Sequence, residues 1–221
     1  MKNLKRNRLI ILNAGDSFEL DGFNKLLIRN PKNGLRIIDE YINIFKEYEI
    51  TVVVGYKAMN IMNLYPKLNF VYNKYWQSTN SSYSLSLALN TQPSIIASCD
   101  LIVNKDILKN IEKYKNVIFL NDMENKKKNS LNAKISKSKH VLKIYRGKRN
   151  NSNDRELSGI FKITCKEILN KLKKNCTIYP NLHVGENIPL NLKNKLNATY
   201  IKKTNVKEIN TPLDYINLLN D

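Results

Sequence analysis

With 221 residues, 42% of them hydrophobic and 25% charged, the chain holds enough material for one well-packed domain rather than two. No apolar run approaches the roughly twenty residues needed to span a bilayer, and the basic start MKNLKRNRL lacks the apolar core and cleavage site of a secretory signal, so a cytoplasmic protein without a membrane partner is expected. The net charge of +18 raises nucleic acid as a partner, but the basic stretches 125–140 and 145–151 carry little aromatic interleaving, so most of the excess reads as solvated surface and a nucleic-acid partner is not expected.

In chain order, RLIILN (8–13) is short, continuous and rich in Ile and Leu, the pattern of a buried strand. It runs into a small-residue corner, Asn13-Ala14-Gly15, then a polar loop, then Lys25 ahead of another apolar stretch. Ile37, Ile38, Tyr41, Ile42 and Phe45 mark an amphipathic helix within 34–49. ITVVVGY (50–56) is the strongest strand signal, followed by a helix in KAMNIMNLY, a strand in LNFVYN, a helix in SSYSLSLALN and a strand in SIIASCD (94–100). Helices alternating with nearly uninterrupted apolar strands predict an α/β fold, a doubly wound, mostly parallel sheet. Beyond about residue 115 the segments NVIFLN, SLNAKISKS, HVLKIYRG and ELSGIFKIT are strand-like with short polar breaks, which predicts a mixed or antiparallel extension in the second half. A helix from Lys166 and a last one in TPLDYINLL close the chain.

In open α/β sheets ligands bind beyond the carboxyl ends of the strands. Gly15 there lets backbone N–H groups approach an anion, and Asp100 ends an apolar strand where a carboxylate is costly unless it meets a cation. Taken alone, the Asn-Ala-Gly corner is equally a turn and Asp100 equally a helix cap. Cys99, Cys165 and Cys176 are odd in number and widely spaced, so neither a disulfide framework nor a zinc site is expected. His140 and His183 have no partner at a telling spacing and receive no role.

LIILNAG with Lys25-Leu26-Leu27, ITVVVGYKAMNI, FVYNKYWQSTNSSYSLSLAL, the stretch ending at Asp100, ELSGIFKI and KEINTPLDY stand in an order and spacing that resemble, nearly end to end, the nucleotidyltransferases that make CDP- and NDP-activated compounds. Within that family the chain is most similar to the CTP-dependent enzymes of phosphonate and phosphocholine metabolism, and LDGFNKLLI, TNSSYSL and NTPLDY resemble the phosphonate-activating branch. The resemblance implies one Rossmann-like domain, with a nucleotide-binding half (1–115) and an acceptor-binding and closing half (116–221). It implies transfer of CMP from CTP to a small phosphonate, with Mg²⁺ as cofactor and pyrophosphate as leaving group. A homodimer is left open.

By the same resemblance, Lys25 and Asp100 are catalytic, and Asp100 and Asn210 hold the metal. Leu12, Asn13, Ala14, Gly15, Gly55, Asn80, Ser81 and Ser84 frame the nucleotide, and Lys148, Glu156, Trp76 and Tyr83 the acceptor. Asn210 stands where the family usually has Asp, and it is equally placed to cap the following helix. Ser17 and Glu19 stand where the family usually has Gly and Arg, so either another cation supplies the missing charge, with the lysines at 126–128 as candidates, or Glu19 turns away from the phosphates. Three alternatives stay open: a phosphocholine enzyme with Trp76, Tyr83 and Tyr179 as an aromatic cage, a sugar 1-phosphate enzyme, and an inactive nucleotide- or RNA-binding module.

Overall fold

The structure is a computed structural model, which describes residues 7–122, 130–193, 195–202 and 205–220. In chain order these form β1 (Arg8–Asn13), α1 (Ile37–Ile44), β2 (Glu49–Val54), α2 (Ala58–Leu64), β3 (Asn69–Tyr72), α3 (Ser81–Ala88), β4 (Ser94–Ser98), β5 (Leu101–Val103), α4 (Ile107–Lys113) and β6 (Val117–Asn121). There follow β7 (Leu131–Ile135), β8 (Val141–Arg146), β9 (Arg155–Ile163), α5 (Lys166–Ile178), β10 (Asn197–Ile201), β11 (Val206–Glu208) and α6 (Pro212–Asn220).

The main sheet runs β10-β6-β9-β4-β1-β2-β3. β3, β2, β1 and β4 are mutually parallel, β9 runs antiparallel between β4 and β6, and β10 is parallel to β6. The β7–β8 hairpin pairs onto β9. Side chains alternate across this sheet. Leu9, Ile11, Val52, Val54, Ile95 and Ala97 join one buried cluster with α1, α2 and α4, while Ile10, Val53 and Ile96 join another with α3 and α5. Each fully buried Leu, Ile or Val contributes about 1.5–3 kcal/mol, and two clusters on opposite faces are what a doubly wound sheet requires. The mostly parallel sheet with its mixed second half, in which β9, β7 and β8 pair antiparallel and β10 parallel, matches the expectation from sequence.

Three local differences bear on the site. The strand read as 94–100 is broken: β4 ends at Ser98, Cys99 and Asp100 form a turn, and β5 begins at Leu101. Asp100 is therefore a turn residue rather than the last residue of a strand. β5 leaves the main sheet and pairs antiparallel with β11 as a separate ribbon, setting Leu101 opposite Glu208 and Val103 opposite Val206. Finally, α1 starts only at Ile37, because Asn30–Gly34 closes a turn with Gly34 in the left-handed region (φ 71°) and Arg36 N–H donates to Asp39 Oδ2 at 3.0 Å.

Candidate active site

Three residues far apart in sequence meet at the carboxyl edge of the parallel strands. Asn24 accepts from Leu26 N–H and caps the single helical turn Lys25–Leu27, and fully buried Leu26 fixes that turn to the core. Lys25 Nζ then donates to Asn210 Oδ1 at 2.6 Å and lies 3.5 Å from Asp100 Oδ2. Asn210 reaches this point because the β5–β11 ribbon continues with Ile209 N–H donating to the Asp100 carbonyl at 2.8 Å. Its side chain is not spent on capping. Thr211 Oγ1 accepts from Asp214 N–H, and Asp214 Oδ2 accepts from Thr211 N–H, so Thr211 caps α6 with Pro212 in the first turn.

Burial raises the Asp100 carboxyl above its ordinary value, Lys25 pulls it back down and Glu208 pushes it up again. The neighbouring Cys99 thiol is pushed up to about 12, chiefly by burial and then by Asp100, so it is no nucleophile at neutral pH. Asp100 Oδ1 is buried and has no hydrogen-bond partner. A carboxylate and an amide oxygen gathered around one lysine are oxygen donors of the kind a hard cation takes, and Mg²⁺ commonly binds one or two protein oxygens and completes its shell with water and phosphate. Among the described residues no group of three or more His, Cys, Asp or Glu is arranged to hold a metal by itself. Asp100 and Asn210 thus fit an ion shared with a phosphate-bearing ligand.

A cavity of about 340 Å³ opens from this corner. Asp100, Glu208, Asn210, Glu156, Arg146 and His183 line it with polar groups, and Ile96, Ile118 and Ile160 contribute apolar wall. Buried Glu156 accepts from Ser130 Oγ at 2.5 Å and from Asn121 Nδ2 at 3.3 Å. Arg146 forms a two-pronged pair with Glu186 (Nε to Oε1 3.3 Å, Nη2 to Oε2 3.1 Å). Glu186 also accepts from His183 N–H, and Arg146 with that backbone bond holds its carboxyl below the usual value, against a burial effect of opposite sign. Desolvation, and then Arg146, lower the His183 pKa, and Asn80 Nδ2 lies 3.3 Å from His183 Nε2, which accepts when it carries no proton.

The nucleotide residues inferred from the resemblance divide into distinct environments. Leu12 and Ser81 line the cavity, and Ser81 Oγ accepts from Val184 N–H. Ala14 O accepts from Tyr56 N–H at 2.9 Å, bringing the two strand ends together; a Cβ on Gly55 would lie 2.5 Å from that oxygen and 2.6 Å from Trp76 Cβ. Gly15 has nothing within 4 Å of where a Cβ would be, so its space is open. Asn13 is buried with Nδ2 unpartnered. Ser84 accepts from buried Asn73 and ties β3 to α3, a structural bond. Asn80 caps α3 by accepting from Ser81 N–H.

Of the acceptor residues, only Glu156 lines the cavity. Lys148 is exposed in the turn after β8, Trp76 packs on Tyr56 (ring centroids 5.0 Å apart) and over Gly55, and Tyr83 pairs with Tyr75 (5.8 Å). Tyr179, at the end of α5, is exposed. Glu19 is exposed in the turn Phe18–Leu20 and makes no ion pair among the described residues, and the lysines at 126–128 lie outside the described residues. Sequence reasoning missed Arg146, His183, Ser130 and Glu208. A legible signal existed for one of them: His183-x-x-Glu186 has the spacing of a capping box.

No family model and no curated protein matches the sequence. Solved structures do match along the whole chain. The CTP:phosphocholine cytidylyltransferase of Streptococcus pneumoniae superposes with a TM-score of 0.81 at 21% identity, covering 97% of this chain and 98% of that one. The inositol-1-phosphate CTP transferase of T. maritima gives 0.70 at 15%, covering 99% and 97%. HddC of Yersinia pseudotuberculosis, complexed with GMP-PN, gives 0.68 at 16%, covering 97% and 98%. At these identities the likeness establishes the fold: the Rossmann-like fold of the nucleotidyltransferases.

Proposed function

We propose that the chain is a CTP-dependent nucleotidyltransferase that transfers CMP to a small phosphonate and releases pyrophosphate. The observation that carries this reading is the meeting of Lys25, Asp100 and Asn210 at the carboxyl edge, beside a cavity, in a fold shared with nucleotidyltransferases. The acceptor's oxygen is already anionic at neutral pH, so the displacement at the α-phosphorus needs no strong base. That suits a site without an activated cysteine or a histidine–nucleophile pair among its described residues. Catalysis then rests on positioning and charge neutralisation.

Lys25, held between Asn210 and Asp100, meets the negative charge that builds on the departing pyrophosphate. Asp100 and Asn210 would hold Mg²⁺, which when bound polarises the phosphates and neutralises part of their charge. Gly15 leaves room for phosphate against backbone amides, and the unpartnered Asn13 amide is a donor for the nucleoside. Glu156 faces the acceptor's far end, where a carboxylate suits an amino or hydroxyl head group. The aromatic cage expected for phosphocholine is not assembled from Trp76, Tyr83 and Tyr179, none of which lines the cavity. This favours acceptors whose head group carries hydrogen-bond donors.

The test is pyrophosphate release across CTP, UTP, ATP and GTP, each with 2-aminoethylphosphonate, 2-hydroxyethylphosphonate, phosphocholine and glucose 1-phosphate. The expected result is fastest turnover with CTP and a phosphonate. Faster turnover with phosphocholine or the sugar phosphate would replace the acceptor but keep the chemistry. No release with any pair, together with RNA affinity falling steeply with salt, would replace the enzyme with a binding module.

A further inference from the structure

The loop after β1 is an odd seat for phosphate, because residues 15–24 hold Asp16, Glu19 and Asp21 and no basic residue. All three carboxylates are exposed, whereas Gly22 is buried. Bonds within the loop knit it together. Leu20 N–H and Gly22 N–H both donate to the Ser17 carbonyl, at 2.8 and 3.0 Å, and Phe23 N–H donates to Leu20 O at 2.8 Å. Its orientation therefore depends on what holds it from outside. Two consecutive residues after β2 reach both of its ends. Tyr56 N–H donates to Ala14 O at 2.9 Å, and the Tyr56 ring packs so closely on Gly22 that a Cβ there would lie 2.7 Å from the hydroxyl oxygen. Lys57 Nζ donates to the Gly22 carbonyl at 3.1 Å and lies 5.1 Å from the Tyr56 ring centroid. Lys57 itself adopts φ 47°, a left-handed conformation that favours glycine, so lysine stands there against the local preference.

We infer that Lys57 is a positioning residue for nucleotide binding: it clamps the loop at Gly22 with the three carboxylates in solvent, leaving the backbone at Gly15 for the triphosphate. The inference rests on the proposed reading of this loop as the triphosphate's seat. A loop with three acids can serve a polyanion only when it is held in one orientation, since a carboxylate turned toward the phosphates repels them. Among the described residues, Lys57 is the basic side chain that bonds to the loop. It acts through Gly22 rather than by touching the phosphates. Without the ammonium group, the Gly22 carbonyl loses its partner and the loop is freer to turn.

Two measurements on the full chain, hydrogen exchange of the loop amides and CTP kinetics, test the clamp in Lys57→Met and Lys57→Arg. Lys57→Met keeps the stem but loses the donor, so the amides of residues 17–23 should exchange about tenfold faster than in the parent chain. Its KM for CTP should rise about tenfold with kcat within about twofold, the pattern of binding lost equally from ground and transition states. Lys57→Arg keeps a charged donor and should restore both readouts. Loop exchange that stays at the parent rate in Lys57→Met overturns the clamp. A raised KM with unchanged exchange also overturns it, making the lysine a direct phosphate contact, and so does a fall in kcat at unchanged KM. A parent chain that binds no CTP overturns the nucleotide reading and this inference together, whereas any of the other three results in a chain that binds CTP overturns this inference alone.

Discussion

One ammonium group serves two partners at the centre of the site: Lys25 lies 2.6 Å from the Asn210 amide oxygen and 3.5 Å from the Asp100 carboxylate. Under the proposed reaction this lysine acts on charge that exists only late in the displacement, so Lys25→Ala should lower kcat by about a hundred- to a thousandfold while CTP binding changes little. Stopped-flow pyrophosphate release alongside CTP titration separates the two, and wild-type turnover in this variant would reduce the lysine to ordinary surface. Asp100→Ala should abolish turnover and keep a normal circular dichroism spectrum, because the residue stands in a turn rather than in the sheet ladder. Glu19→Arg is a sharper probe of the opening loop. Glu19 is exposed and makes no pair with Lys25, so restoring a positive charge there should tighten CTP binding or leave it unchanged. Tenfold weaker binding would mean that the acid orients the loop.

At the scale of elements, the corners after β1 and β2 are held together by backbone contact. Gly55→Ala would drive a methyl group into Ala14 O and Trp76 Cβ, and overpacking of this kind typically costs about 1–3 kcal/mol, readable as a lower urea midpoint. Gly15→Ala meets open space, so it should leave the midpoint alone and raise the KM for CTP instead. The two glycines, alike as letters after a strand, differ because only the structure says what faces them. The junction of α3 with the segment Val184–Asn187 adds a pH dependence. The folded-state pKa of His183 lies below 6.5, so the unfolded chain binds the extra proton more readily. Its contribution is complete above that value and is lost as pH falls below it, when protonated Nε2 also stops accepting from Asn80. Thermal midpoints should therefore drop between pH 7 and pH 5.5, and His183→Gln should flatten that slope. The apolar runs made β1, β2 and β4 legible, because burial on both faces leaves a composition that any reader sees. The three-residue strands β5 and β11 carry no such pattern, and their pairing spans the chain, so the contact of Asn210 with Lys25 was reachable through resemblance but not through periodicity.

Across the whole molecule, the site depends on the last segment of the chain docking beside the first half: Lys25 and Asn210 stand 185 positions apart. The main sheet does not require that ribbon for its own ladder, since β5 and β11 pair only with each other. What ties the ribbon down is a short set of buried side chains, Leu101, Val103, Val206 and fully buried Ile209, with Leu218 from α6. The surface works against compaction at the same time, since a net charge of +18 repels itself throughout. Local opening of the ribbon is thus expected at a lower free energy than global unfolding. The single tryptophan makes this measurable, because Trp76 packs on Tyr56 and Gly55 in the first half, away from the ribbon. Ile209→Ala removes a fully buried side chain, a change that typically costs about 2–5 kcal/mol, and here the loss falls on the ribbon. In a urea titration of this variant, pyrophosphate release should disappear at a lower concentration than the change in Trp76 fluorescence. Leu219→Ala, at an exposed position of α6, should leave both transitions where they are in the parent chain. Coincident transitions in Ile209→Ala would show that the ribbon opens only with the rest of the molecule, and that the corner formed by Lys25, Asp100 and Asn210 is as stable as the sheet that carries it.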